Sequence, residues 1–74
     1  MDLRAELHRL SVPDSAYSIG YDSNEAYCLI EETDGWHVYY SERGRRNGEH
    51  VFSSEAHAGG ELLRRILADG AMSR

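Results

Sequence analysis

The sequence predicts an α+β fold in which a four-stranded antiparallel β-meander is flanked by an N-terminal and a C-terminal helix. Two patterns predict it: apolar residues recur at helical spacing near both ends of the chain, and polar and apolar residues alternate between them. Turn-forming residues divide the alternating stretch into pieces of strand length. A chain of 74 residues has the size of one domain, so we expect residues 1–74 to form a single unit.

The first helix is predicted over residues 2–11. Leu3, Leu7 and Leu10 follow helical spacing and form one apolar stripe. Asp2 can accept hydrogen bonds from the first free backbone N–H groups. Pro13 ends the helix, because the residue before a proline is pushed out of the helical region.

Four strands are predicted, over residues 16–21, 26–32, 36–42 and 49–53. Alternation of apolar and polar side chains supports the first three, because successive residues of a strand point to opposite faces. The dipeptides Asp34-Gly35 and Asn47-Gly48 are strong hairpin signals, and they predict the turns that precede the third and fourth strands. Short turns between sequential strands favour an antiparallel arrangement.

The last helix is predicted over residues 54–69, with Ser53 or Ser54 as its N-cap and Gly70 as its end. Gly59 and Gly60 weaken it, because each glycine costs about 1 kcal/mol relative to alanine in a helix. Both helices must bury an apolar stripe, most simply against one face of the sheet. The other face is expected to stay at least partly open, where it can receive a partner.

Charge is distributed unevenly along the chain. The net charge is −5, and all 8 basic residues are arginines. This sign argues against a general nucleic-acid binder. Seven acids precede any arginine between residues 10 and 43: Asp14, Asp22, Glu25, Glu31, Glu32, Asp34 and Glu42. Three arginines follow at once, at positions 43, 45 and 46.

The carboxylates of Glu31, Glu32 and Asp34 are expected to cluster around one turn. Such a cluster accelerates docking onto a basic surface. The alternative is that these charges only keep a small domain soluble.

Other functional classes lack their usual signals. No segment has the length and apolar character of a signal peptide or a membrane span, and Cys28 is the single cysteine, so we expect a cytoplasmic protein. The 4 histidines do not follow a metal-ligand spacing, and we expect no metal and no cofactor. No nucleophile motif is present, so we expect no enzymatic activity.

A family resemblance begins in the third strand. Residues 36–44 give the pattern W-x-V-Y-Y-S-E-R-G, which is followed by F-x-S-E at residues 52–55 and by a short leucine-rich helix. This pattern resembles small bacterial immunity proteins encoded beside polymorphic toxins, and it covers roughly residues 26–67. The resemblance implies a stoichiometric inhibitor that binds a cognate toxin domain, which the acidic character of this chain suggests is basic.

We therefore predict an immunity protein that acts by electrostatic docking and occlusion. The expected partner contacts are Glu31, Glu32, Asp34, Tyr39, Glu42 and Arg43. The alternative is a small homodimeric regulatory or structural domain, in which an exposed edge strand pairs with its own copy.

Overall fold

A computed structural model describes residues 2–69 and shows an α+β fold with two helices and one four-stranded sheet. In chain order the elements are α1 (Leu3–Arg9), a 3₁₀ turn (Asp14–Ala16), β1 (Tyr17–Ile19), β2 (Ala26–Glu32), β3 (Gly35–Glu42), β4 (Arg45–Phe52) and α2 (Glu55–Asp69). The end predicted for the last helix at Gly70 lies outside the described residues. Neither helix has the length and apolar character needed to span a bilayer.

Both helices begin at the predicted caps. The Asp2 carboxylate accepts hydrogen bonds from the backbone N–H groups of Arg4 and Ala5, at 3.1 and 3.3 Å. The Ser54 hydroxyl accepts one from the backbone N–H of His57 at 3.3 Å. These contacts satisfy N–H groups that have no partner inside the helix, so each cap fixes where its helix starts.

The two glycines of α2 have different surroundings. Gly59 is buried, and a Cβ placed there would make an ordinary van der Waals contact with a methyl group of Leu3, at 3.5 Å. Gly60 is exposed, and a Cβ placed there would have no atom within 4 Å apart from its own helix. The two glycines that weaken the helix therefore differ: Gly59 is buried next to Leu3, and Gly60 is exposed and has no packing neighbour.

Replacing Gly60 with alanine is expected to raise the free energy of unfolding by about 1 kcal/mol, because alanine restricts the unfolded chain and fits the helix without a clash. Urea denaturation measures this change. Gly59→Ala is the matched comparison, since its new methyl group must fit against Leu3. A loss of stability in Gly60→Ala would contradict this account of the helix.

The sheet is mixed, which corrects the predicted antiparallel meander. Its strand order is β1-β2-β3-β4; β2–β3 and β3–β4 are antiparallel, but β1 runs parallel to β2. Parallel neighbours usually need a long crossover connection. Here β1 has only 3 residues, about 10 Å of strand, so residues 20–25 are long enough to return the chain to the start of β2.

The last strand begins earlier than predicted, at Arg45, because the hairpin turn is formed by Arg43 and Gly44, with φ angles of 52° and 78°. The Asn47-Gly48 dipeptide lies inside β4 and was wrongly predicted to be the turn. Val38 pairs with His50 and Tyr40 with Asn47, so two residues of β4 stand opposite one residue of β3. Gly48, with φ of 64°, supplies the left-handed conformation that such a bulge requires.

The apolar core lies between the two helices and one face of the sheet. Its buried members are Leu7, Val12, Tyr17, Leu29, Val38, Ala58, Leu62 and Ile66. Leu29 pairs with Val38, and the neighbouring pair Cys28 and Tyr39 points to the opposite face. Burial of both helical stripes on one side leaves that opposite face free of helices, as the sequence predicted.

Candidate partner-binding face

The face of β2, β3 and β4 that points away from the helices is called the outer face below. Three strands contribute to it: Cys28, Ile30 and Glu32 from β2, His37, Tyr39 and Ser41 from β3, and Arg46, Glu49 and Val51 from β4. Its central residues are buried although no helix covers them, because residues 20–25 cross part of it and Arg46 covers another part.

His37 lies between three carboxylates. Its Nε2 atom is 2.6 Å from Asp34 Oδ1 and 3.3 Å from Glu32 Oε1, and its Nδ1 atom is 2.7 Å from Glu49 Oε2. The side chain is only 9% exposed. These contacts raise the pKa of His37, chiefly through the hydrogen bonds to Asp34 and Glu49, against the opposing effect of burial.

Arg46 joins the two ends of the outer face. Its guanidinium donates to Glu32 Oε2 at 2.9 Å and to Glu49 Oε2 at 2.6 Å. The same group lies over the Tyr39 ring, 4.4 Å from the ring centroid. Its two carboxylate partners raise the pKa of Arg46 further, so this residue is a permanent positive charge.

A second polar group holds residues 20–25 against the sheet. The Asp22 carboxylate accepts hydrogen bonds from the Tyr39 hydroxyl at 2.8 Å and from the Ser41 hydroxyl at 3.0 Å. Burial, followed by the bond to Asp22, raises the pKa of Tyr39. Cys28 is buried next to this group, and burial raises the pKa of its thiol, which is the opposite of what a nucleophilic cysteine needs.

Glu32, Asp34 and His37 also have the ligand types of a metal site, and their ligand atoms lie within 4.8 Å of one another. The positive charge that such carboxylates need is already supplied by the protein. His37 Nε2 is at hydrogen-bond distance from Asp34, and Arg46 binds the second oxygen of Glu32. We therefore describe this cluster as an ion-pair network.

The predicted contact residues fall into two groups. Glu31, Glu32 and Asp34 lie at one end of the β2–β3 hairpin, and Glu42 and Arg43 lie at the other. Glu42 lies six positions along β3 from Trp36, the partner of Glu31, which corresponds to about 20 Å. Arg46, three residues after Arg43, reaches the first group through its bond to Glu32.

The exposure of these residues also differs. Glu31 and Glu42 are exposed and form no side-chain hydrogen bond or ion pair with the rest of residues 2–69. The Arg43 backbone N–H donates to Asn24 Oδ1 at 2.7 Å, and its residue is exposed. Tyr39 is 0% exposed, so its ring offers no contact surface to a partner and instead supports Asp22 and Arg46.

The predicted contact residues do not include His37, Arg46, Glu49 or Asp22, although Asp22 and Arg46 belong to the charge pattern of the sequence. One sequence pattern could have indicated the site. His37, Tyr39 and Ser41 occupy alternate positions of β3, so their polar side chains lie on one face of the sheet, next to the charged residues of the neighbouring strands. The position of Asp22 above that face follows from the parallel pairing of β1, which no local pattern indicates.

Comparisons with known proteins give no match: no family model, no curated protein and no solved structure matches this chain. The contacts and charges of residues 2–69 therefore carry the functional proposal, together with the sequence pattern of residues 36–44.

Proposed function

We propose that this chain is an immunity protein that binds the cognate domain of a bacterial toxin in the cytoplasm and blocks it, without chemistry of its own. One observation carries the proposal: a charged sheet face is left free of helices and is surrounded by unbalanced acidic residues. Seven carboxylates lie on this face, in the segment that crosses it or at the ends of the β2–β3 hairpin, where three arginines and His37 oppose them. These carboxylates belong to Asp22, Glu25, Glu31, Glu32, Asp34, Glu42 and Glu49.

The unpaired carboxylates contribute most to the long-range attraction of a basic partner. Glu32 and Glu49 are already paired with Arg46, whereas Glu31 and Glu42 have no partner among the described residues. Their side chains point to the helix-covered side, because Glu31 pairs with Trp36 and Glu42 shares a face of β3 with Trp36. These unpaired charges at the two ends of the β2–β3 hairpin add to the negative potential at the edges of the sheet, and this potential steers a basic partner into place. The predicted mode of action is therefore fast electrostatic docking followed by occlusion.

The outer face also has apolar surface beside His37. Ile30 and Val51 pair with His37 from either side, and Val51 is 47% exposed. Protein interfaces commonly combine apolar and polar contacts. The ion pairs around His37 and Arg46 hold this surface in one conformation, which lowers the entropy lost on binding.

The proposal is tested by expressing the chain together with the toxin encoded by the neighbouring gene. We expect cells to survive and the two proteins to purify as a 1:1 complex. An unrelated acidic protein of similar size, expressed at the same level, is the control for unspecific charge effects. If the chain neither protects the cells nor purifies with the toxin, the proposal is wrong.

A homodimer is the second candidate, and the exposure of β4 favours it. This strand forms one edge of the sheet, has 8 residues, and is exposed from Arg45 to Val51. An exposed edge of this length can pair with a second copy, although charged residues and a bulge both oppose such pairing. Sedimentation velocity between 1 and 100 µM separates the candidates: a concentration-dependent dimer supports this one, and a monomer throughout excludes it.

A further inference from the structure

We propose that His37 is a proton-operated latch that ties the β2–β3 turn to the edge strand β4. Both of its ring nitrogens lie within 2.7 Å of a carboxylate oxygen, Nε2 next to Asp34 and Nδ1 next to Glu49. Carboxylates only accept hydrogen bonds, and a neutral imidazole has a single N–H. The two contacts can therefore exist together only when the ring carries both protons. The proposal concerns the chain alone and does not depend on a toxin partner.

The groups around the latch determine which contact breaks when the proton leaves. Glu49 is held in place by Arg46 as well as by His37, and its side chain is 32% exposed. Asp34 has no second partner of this kind among the described residues, and its side chain is 65% exposed on the turn. We therefore expect the neutral ring to keep its proton on Nδ1, bonded to Glu49, while Asp34 turns away into water.

The contacts of Glu32 also favour breaking the bond between His37 and Asp34 before the bond between His37 and Glu49. The Glu32 Oε1 atom lies 3.3 Å from Nε2, and its Oε2 atom is bonded to Arg46. Once Nε2 loses its proton, a lone pair faces two carboxylates, and repulsion drives the more mobile one out. Gly35 pairs with Glu32 in the β2–β3 ladder, so we expect the opening to be confined to residues 33 and 34 of the turn.

The pH range of the latch follows from the directions of the pKa shifts. Because the pKa of His37 is raised in the folded chain, its stabilising contribution is complete below the unfolded value of about 6.5 and is lost as the pH rises through the folded value. The pKa values of Asp34 and Glu49 are lowered by His37 and Arg46, so their contributions are lost as the pH falls into the acidic range. The latch is therefore closed at weakly acidic pH and opens as the pH rises through the pKa of His37 in the folded chain, which lies above its ordinary value.

Long-range ¹H–¹⁵N NMR spectra of the imidazole rings, recorded between pH 5 and 10, report both protonation and tautomer. In the unmodified chain we expect His37 to bear two protons at pH 5 and to convert to the Nδ1–H tautomer at high pH. Amide exchange at residues 33 and 34 should speed up over the same pH range. In Asp34→Asn the titration midpoint of His37 should fall, because a neutral amide stabilises the charged ring less than a carboxylate.

Glu31→Gln is the matched control, because Glu31 is close in the chain but makes no contact with His37. It removes one negative charge from the same hairpin and should leave the midpoint close to that of the unmodified chain. Equal midpoints in Asp34→Asn and Glu31→Gln would overturn the latch. So would a neutral His37 at pH 6, or an Nε2–H tautomer at high pH.

Discussion

Leu62→Ala is expected to lower the free energy of unfolding by about 3 kcal/mol, as is usual for removing a fully buried leucine side chain. Leu62 is 0% exposed and lies in the apolar core between α2 and the sheet. A domain of this size has a total stability of only about 5 kcal/mol, so the variant should be partly unfolded at physiological temperature. Its melting temperature should fall by about 15 °C, measured by circular dichroism.

Leu67→Ala is the matched control, because it removes the same atoms from a residue of α2 that is 50% exposed. Its cost should stay within about 0.5 kcal/mol. Similar losses in the two variants would mean that α2 does not bury the Leu62 face against the sheet. In that case the core would not lie between α2 and the sheet, and the argument that the outer face is free of helices would fail.

Asp22→Ala is expected to cost about 2 kcal/mol, because it leaves two buried hydroxyl groups without their acceptor. Tyr39 is 0% exposed and Ser41 1% exposed, and both donate to this carboxylate. Residues 20–25 should then lose their attachment to the sheet, which faster amide exchange of this segment would show. Urea denaturation gives the energetic cost.

A double-mutant cycle identifies the origin of this loss. If the Tyr39 hydroxyl is left unsatisfied in Asp22→Ala, adding Tyr39→Phe removes that hydroxyl and should recover part of the stability, with a coupling energy of about 1 kcal/mol. Asp22→Asn, which keeps an acceptor oxygen, should cost less than Asp22→Ala. Strict additivity of Asp22→Ala and Tyr39→Phe would show that the bond carries no stabilisation.

The fold class and the positions of most elements could be predicted from local patterns. The leucine stripe of α1, the Asp2 cap and the Asp34-Gly35 hairpin depend on neighbouring residues, and the structure has all three. The direction of β1 was predicted wrongly, because alternation of side chains is the same in parallel and antiparallel strands.

The second hairpin shows another limit of local patterns. Asn47-Gly48 and Arg43-Gly44 can both supply positive φ angles, and the choice between them depends on which register fits β4 to β3. Asn47-Gly48, which is the stronger turn signal, forms a bulge inside β4 and not the hairpin turn. Only the tertiary pairing of the strands decides this, so the sequence pattern favoured the wrong turn.

The candidate site was predicted in part. The sequence indicated an acidic turn at residues 31–34 and arginines after Glu42, and the structure brings the two together through Arg46 and Glu32. It did not indicate that Tyr39 is buried or that His37 is bonded to Asp34 and Glu49, because these features require three strands to be aligned.

The most direct test of the docking account is the association rate of the chain with the neighbouring toxin domain, measured by stopped-flow fluorescence at several salt concentrations. Glu31→Lys combined with Glu42→Lys reverses two carboxylates that have no partner among residues 2–69, and so leaves the ion-pair network intact. Glu55→Lys is the control, because it makes the same change of charge at an exposed residue of α2, outside the β2–β3 hairpin.

At low salt, association of the double variant should be about tenfold slower or more, and the difference should shrink as the ionic strength increases. The control should associate about as fast as the unmodified chain. Equal association rates for the unmodified chain and the double variant at every salt concentration would contradict electrostatic docking guided by the ends of the β2–β3 hairpin.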